Sequence, residues 1–559
     1  MAENKLIGRV LATESSPTTM DKFCFWTDRS MKLNAFDIVK VQHIDNSFTY
    51  GVIENVSHIT DAQSFLTNFI SSDFGDVEAK EATFRVGMNY VEATVTYNTC
   101  ELYTPVHNDA RVYLATVEEI VIALGLDKIP YPLVCGSLKM YEGTEDERTI
   151  PVNINAKFLL GKEGAHLNIS GISGLASKTS YAMFLMKAIQ DCYAQSDVND
   201  SVAFVIFNVK GPDLMAIDQP NDFSDYPDKK SSTYQDYEAL GLSTEPFKSV
   251  KYYIPFTEQS NTKTGTYLKQ DELESYIKCG QLRKYKYLFS EDKESIEMMF
   301  SDITDPNQTI ESIISKVIDN DDVDFGKLVT WTDFRNKLTE KTERGSGDKE
   351  ILVQSWRKFK RIIQKSTQAD MFSNRIADAN IECRLADELK GIQANQVMVI
   401  DIAKLGDDKQ AFVFGDALRT IYNLKLGEYD AEGVTPPSRI VIFVDELNKY
   451  AGKNASKTSP ILRELLDVTE RGRSLGVVLF GAEQFRSAIN SRITGNCATH
   501  AYGRTNSIET NSEDYRSLPK TYRGMLTRLE QGTYLIQNPV FRSLLKIKFP
   551  LPIYKQPKS

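Results

Sequence analysis

The chain has 559 residues, 41% of them apolar, enough for about three or four domains with sizeable cores. Its 66 basic and 76 acidic side chains leave a formal charge of −10, which excludes nucleic-acid binding over the whole surface and confines any such contact to a local feature such as a channel. Seven scattered cysteines, none in a Cys-x-x-Cys pair, and five dispersed histidines give neither a disulfide framework nor a zinc site. Met1–Lys5 carries no signal pattern and no apolar run nears about 18 residues, so the expectation is a soluble, cytoplasmic protein without a membrane span.

Residues 1–155 read as β-rich. Phe36–His43, Phe48–Ile53, Ala82–Val86 and Val91–Tyr97 are dense in β-branched and aromatic residues and separated by polar turns, which predicts a small barrel. From about 156 the texture changes to α/β. Leu167–Ile169 is a short apolar strand, and a helix is expected from Ser180 to Ala194. Val202–Asn208, Gln396–Asp401, Ile440–Asp445 and Leu475–Phe480 are continuous apolar runs of the kind found in parallel strands covered on both faces. Between 216 and 389 the sequence offers no such run, only amphipathic and charged stretches, and reads as a helical insertion between two halves of the α/β domain, 156–215 and 390–535. Residues 536–559 form a closing segment.

The stretch that carries chemistry is Gly171-Ile-Ser-Gly-Leu-Ala-Ser-Lys-Thr-Ser180, between the first α/β strand and its helix. A phosphate-binding loop, G-x-x-x-x-G-K-[ST], works because glycines let backbone N–H groups face phosphate oxygens, the lysine reaches the β- and γ-phosphates, and the next hydroxyl binds Mg²⁺. Lys178 and Thr179 are in place, with Gly171, Gly174, Ser177 and Ser180 as the other candidate nucleotide contacts. Gly171 lies seven residues before Lys178 instead of six, and Ser177 replaces the second glycine, so the loop is expected to take a re-routed path. Alone, this could be a glycine-containing turn with a surface lysine. The apolar strand ending in Asp445-Glu446 adds the acid pair that puts one carboxylate on Mg²⁺ and the next beside the attacking water. Asp401 is a rival acid, without a following glutamate. Downstream, Glu470-Arg-Gly-Arg473 reads as a basic turn before a buried strand, with Gln484 at its tip as a γ-phosphate sensor.

In this order the motifs resemble the HerA/FtsK branch of RecA-type P-loop ATPases, HerA in particular, over nearly the whole chain. The resemblance implies a RecA-type core with an N-terminal HAS-type barrel beginning at Leu6-Ile-Gly-Arg-Val10, a strand within Gly495–Arg504 that closes the site, and a terminal strand and brace from Gly532–Ile536 to Phe549–Pro552. It implies a homo-hexameric ring that binds ATP and Mg²⁺ and passes double-stranded DNA through a central pore, with a nuclease or sirtuin-type effector as partner, in antiphage defence. Glu446, Arg473 and Gln484 would be catalytic, Arg473 acting from a neighbouring subunit with Arg471 as second choice; Thr179 and Asp445 would hold the metal. The divergent loop suggests slow turnover, and an alternative is a nucleotide-binding hexameric scaffold that regulates an effector with little hydrolysis. Lys449, Lys453, Lys457 and Lys210 are candidate pore cations. The basic stretch Arg357–Arg361 and the acidic run Asp319–Asp324 read equally as solvated surface.

Overall fold

The computed structural model describes residues 5–71, 74, 87–161, 163–172, 178–194, 200–258, 265–301, 303, 305, 308–343, 351–429 and 435–557. The segment Ala82–Val86, expected as a strand, lies outside them. Two compact units emerge: Met1–Ile154 with Asn506–Lys548, and Asn155–Thr505 with Phe549–Ser559. Residues 506–548 cluster with the β-rich segment and 549–559 with the α/β segment.

In the first unit, β1 (Leu6–Leu11), β2 (Lys22–Thr27), β3 (Ile38–Gln42), β4 (Phe48–Thr60), β5 (Gly87–Asn98) and β6 (Arg111–Leu114) close an antiparallel barrel in the order β1-β2-β5-β4-β3-β6. Alternation along these strands sends Phe23, Phe25, Val39, Val91 and Val112 inward, where they are fully buried. Two further strands, β7 (Pro132–Met140) and β8 (Arg148–Asn155), follow. The later segment of the unit is tied to the barrel by Tyr522, whose ring stacks on Phe36 at 4.2 Å.

The second unit is built on a parallel sheet. After the short β9 (Gly164–Ala165) come β10 (Leu167–Ser170), β11 (Val202–Asn208), β12 (Val250–Pro255), β13 (Leu282–Lys286), β14 (Glu382–Arg384), β15 (Val397–Asp401), β16 (Arg439–Val444), β17 (Val477–Glu483) and β18 (Thr499–Tyr502). From β10 onward they lie in the order β14-β13-β12-β15-β11-β16-β17-β10-β18, each paired in parallel with its neighbour. β10, β11, β15, β16 and β17 are buried along almost every residue, as strands covered on both faces must be. The order β18-β10-β17-β16-β11 is that of a RecA-type P-loop core: the strand before the loop and the strand before the acid pair are separated by one strand, β17.

The stretch 216–389 is not purely helical. β12, β13 and β14 extend the sheet past β15; they escaped notice because Val-Lys-Tyr-Tyr-Ile-Pro, Leu-Arg-Lys-Tyr-Lys and Glu-Cys-Arg interleave charges and tyrosines where a buried strand would show an unbroken apolar run. The helices of the insertion carry an aromatic core: Phe289 stacks on Phe334 at 4.6 Å, Phe300 on Phe359 at 4.9 Å, and Trp331 and Trp356 are fully buried. In the helix Val353–Ser366, Trp356, Phe359 and Ile363 face this core while Arg357, Lys358 and Arg361 remain exposed, so the basic stretch is the outer face of an amphipathic helix. Asp324 of the acidic run pairs with Lys337 and Lys341. Strands β19 (Thr533–Gln537) and β20 (Leu545–Lys548), antiparallel to each other, complete the first unit. The terminal segment packs within the second unit, where Phe549 lies 5.0 Å from Tyr181 and 5.8 Å from Phe184.

Candidate nucleotide site

Parallel strands present all their C-terminal ends at one edge, so residues far apart in sequence meet there. β10 ends at Ser170 and the helix Lys178–Tyr193 begins eight positions later; residues 173–177, including Gly174 and Ser177, lie outside the described residues. The entry to the loop is fixed. Gly171 N–H donates to the Glu483 carbonyl (3.1 Å) and Ile172 N–H to the Arg504 carbonyl (2.7 Å), so both flanking strands hold it. At Gly171 φ is 156°, and a Cβ there would sit 3.2 Å from the Arg504 carbonyl oxygen and from Gly503 Cα, which is why a glycine is needed.

Lys178 opens the helix and is 1% exposed. A lysine ammonium is seldom so deeply buried without anionic company. Thr179, next in the helix, donates its hydroxyl to Asp445 Oδ2 at 3.1 Å, across 266 residues of sequence. Asp445 stands just past β16, is buried, and accepts a second bond from Glu446 N–H at Oδ1 (2.8 Å). The Thr179 and Asp445 oxygens suit Mg²⁺: two neighbouring ligands of an octahedral ion at about 2.1 Å lie about 3.0 Å apart. Glu446 adopts left-handed backbone (φ 56°, ψ 43°), which turns its side chain out of the line of the strand; its carboxylate pairs with Lys210, in the turn after β11. Ser180, buried behind Thr179, faces the Tyr554 hydroxyl of the terminal segment.

The tip of β17 holds a group that motif reasoning overlooked. Gln484 is half-buried just beyond the strand, whereas Glu483, the last strand residue, is fully buried beside the Asn168 side chain. Burial pushes its carboxyl up to about 8; Arg486, Asn168 and Lys178 oppose that rise and Asp445 adds to it. Arg486 Nη1 donates to Asn168 Oδ1 (2.5 Å) and lies 3.0 Å from His500 Nδ1, forming a polar cluster under the loop strand. An acid closing an otherwise apolar run, Val477–Ala482, was the available signal. Asp213, three residues past Lys210, is a further acid at this edge: burial raises its pKa, Asp445 raises it further, and Lys210 lowers it.

Other expected residues are elsewhere. Arg471 and Arg473 lie within the helix Pro460–Leu475, Arg473 in its last turn, and not in a free turn. Glu470 is engaged by Arg492 (2.6 Å) and Glu464 by Arg419 (2.8 Å), so neither acid neutralises Arg473; Arg471 lies 3.6 Å from Asp467. Arg473 is exposed and precedes β17, close enough to His166, just ahead of β10, to join burial in lowering the histidine to about 4. It therefore stands at the start of the strands. β17 runs from Val477 to Glu483, a rise of about 20 Å at roughly 3.3 Å per residue, separating Arg473 from the loop of its own chain. Lys449 is held by Asp407 and by Gln410 (2.7 Å). Asp401, the rival acid, is fully buried at the end of β15, where its Oδ1 accepts from Asn208 Nδ2 (2.9 Å) and Ala403 N–H (3.1 Å), and burial pushes its carboxyl up to about 6.

No protein-family model matches the chain, and no curated protein does. Among solved structures, the plasmid coupling protein TrwB in complex with a non-hydrolysable ATP analogue is 12% identical, with a TM-score of 0.42 over 78% of this chain and 98% of that one. VirB4 of Thermoanaerobacter pseudethanolicus is 11% identical, with a TM-score of 0.40 over 76% of this chain and 97% of that one. The genome packaging NTPase B204 of Sulfolobus turreted icosahedral virus 2, in complex with ATP-gammaS, is 15% identical, with a TM-score of 0.23 over 30% of this chain and 73% of that one. At such similarity the functional reading rests on the chain's own residues. Among the described residues, no helix is long and apolar enough to cross a membrane.

Proposed function

We propose that this chain is an ATP hydrolase of the HerA/FtsK type that works as a homo-hexameric ring on double-stranded DNA. The observation that carries the reading is the meeting, at one sheet edge, of a buried lysine at a helix start, a hydroxyl bonded to a strand-end aspartate, and a glutamate immediately after that aspartate. Lys178 and the helix N-terminus supply positive potential for the β- and γ-phosphates. Thr179 and Asp445 are the residues that would hold Mg²⁺, which when bound would offset the negative charge of the phosphates. Glu446 orients and deprotonates the attacking water, and Gln484 senses the γ-phosphate.

Arg473 completes the site from a neighbouring subunit. It precedes β17, at the far end of that strand from its own loop, it is exposed, and the nearby acids are engaged by other arginines. A cation delivered to the transferring phosphoryl group is worth about 10³–10⁵ in rate. The resemblance to HerA supports the finer parts of the reading: DNA in a central pore, a nuclease or sirtuin-type effector as partner, a role in antiphage defence, and a cytoplasmic location. Lys453 and Lys457, both exposed, serve as pore cations.

One observation favours the second reading, a nucleotide-held scaffold with slow hydrolysis: the Glu446 carboxylate is already ion-paired. The deciding experiment measures ATP turnover of the purified protein with and without duplex DNA, beside Glu446→Gln. Turnover abolished by the substitution establishes the hydrolase; ATP binding without turnover in every condition leaves the scaffold. Mixing Arg473→Ala with Lys178→Ala subunits tests the shared site. Partial recovery of turnover is expected, and mixed assemblies that stay silent at every ratio would exclude Arg473 as the donor.

A further inference from the structure

The pairing of Glu446 with Lys210 joins residues 236 positions apart and brings a cation from the neighbouring strand onto the one carboxylate that must act on water. A general base needs a free lone pair aimed at the proton it takes, and an ammonium seated on the carboxylate occupies that lone pair. The arrangement is reversible by construction. Lys210 is 54% exposed against 21% for Glu446, so the lysine can leave into solvent while the acid stays in the site. Gly211, directly after Lys210, has φ +50°, so the turn that carries the lysine already uses a conformation suited to glycine. Asp213, three residues further on, is near enough to feel the charge of Lys210 and is an alternative anionic neighbour for it.

We propose that Lys210 is a positioning residue that holds Glu446 away from the attacking water, and that a phosphate group drawing the lysine off the glutamate raises turnover. The inference rests on the hydrolase reading above and deepens it. The phosphate can come from bound nucleotide or from a nucleic-acid backbone, since both present the oxygens that an ammonium recognises.

The test compares wild type, Lys210→Met and Lys210→Arg as full-length proteins, with ATP binding measured by calorimetry and turnover measured with and without duplex DNA. An ion pair this exposed biases its equilibrium by up to about fivefold, so Lys210→Met is expected to raise kcat about two- to fivefold in the absence of DNA, with KM unchanged. Lys210→Arg, which keeps the pair, should behave as wild type, and Glu446→Gln combined with Lys210→Met should erase the gain. If Lys210→Met also abolishes stimulation by DNA, the backbone phosphate is the release signal; if stimulation persists, the nucleotide's own phosphate is. Lys210→Met that binds ATP as wild type does but turns over no faster, or a gain that survives Glu446→Gln, overturns the proposal and leaves the hydrolase reading standing. A wild type that fails to bind ATP overturns both.

Discussion

Two strands of one parallel sheet end in an aspartate, and the two acids have different surroundings. Asp445, after β16, accepts from the Thr179 hydroxyl and is followed by Glu446; Asp401, closing β15, accepts from Asn208 and a backbone N–H and is followed by Ile402. Both are buried and both terminate runs of β-branched residues. What separates them is which neighbour shares the edge: one strand intervenes between β16 and the loop strand, whereas three intervene between β15 and the loop strand. An acid at a strand end becomes a candidate metal ligand through the helix that starts beside it, not through its own sequence neighbourhood.

The largest test of this contrast is the pair Asp445→Asn and Asp401→Asn assayed for ATP turnover. Loss of a charge-stabilising group at the phosphates costs about 10²–10³ in kcat, and that is expected for Asp445→Asn; Asp401→Asn should stay within about threefold, because an amide oxygen can accept the same two bonds. Equal losses would erase the distinction. Thr179→Val comes next, removing the hydroxyl that meets Asp445 at constant volume. A fall in turnover of about 10-fold to 100-fold is expected, with the far-ultraviolet spectrum unchanged.

On the structural side, Asn208→Ala removes the side chain that bonds both Asp401 and the Gly211 carbonyl (2.8 Å), at an expected cost of about 1–3 kcal/mol in urea denaturation. Smallest is a pH effect. The Asp401 carboxyl lies at about 6 when folded, above its unfolded value of about 3.9. The folded state therefore holds the proton more tightly, and this contribution to stability is complete below about pH 4 and is lost as pH rises through 6. Asp401→Asn should raise the melting temperature by about 2–4 °C at pH 7 and by nothing at pH 4.

Much of the core was legible in sequence because parallel strands covered on both faces write themselves as apolar runs; β10, β11, β15, β16 and β17 all did so. The loop lysine, its neighbouring hydroxyl and the acid pair stand out in sequence for a second reason: the chemistry proposed for them needs fixed residue types next to each other. Contacts that depend on tertiary folding left no local trace. Nothing near Glu446 announces Lys210, and Glu483 was passed over for its neighbour Gln484 because a motif favours the amide and says nothing about burial. The edge strands β12 to β14 carry lysines, arginines and tyrosines that pattern reading assigns to helices or loops. The return of 506–548 to the barrel unit rests on packing such as Phe36 against Tyr522, between residues almost five hundred positions apart.

The strand that precedes the phosphate loop also sets a timetable for synthesis. Ser170 pairs with Glu483 on one side and with Tyr502 on the other, so the second partner is made 502 − 170 = 332 residues later. At roughly 5–20 residues per second, a ribosome needs about 17–66 s to cover that distance. For the first 483 − 170 = 313 of those residues Leu167 and Ile169, fully buried in the finished molecule, have neither complete flanking strand to cover them. A nascent chain of this design exposes an apolar strand edge for most of its translation, so its yield in a cell should respond to chaperone supply and to elongation rate more than to the stability of the folded product.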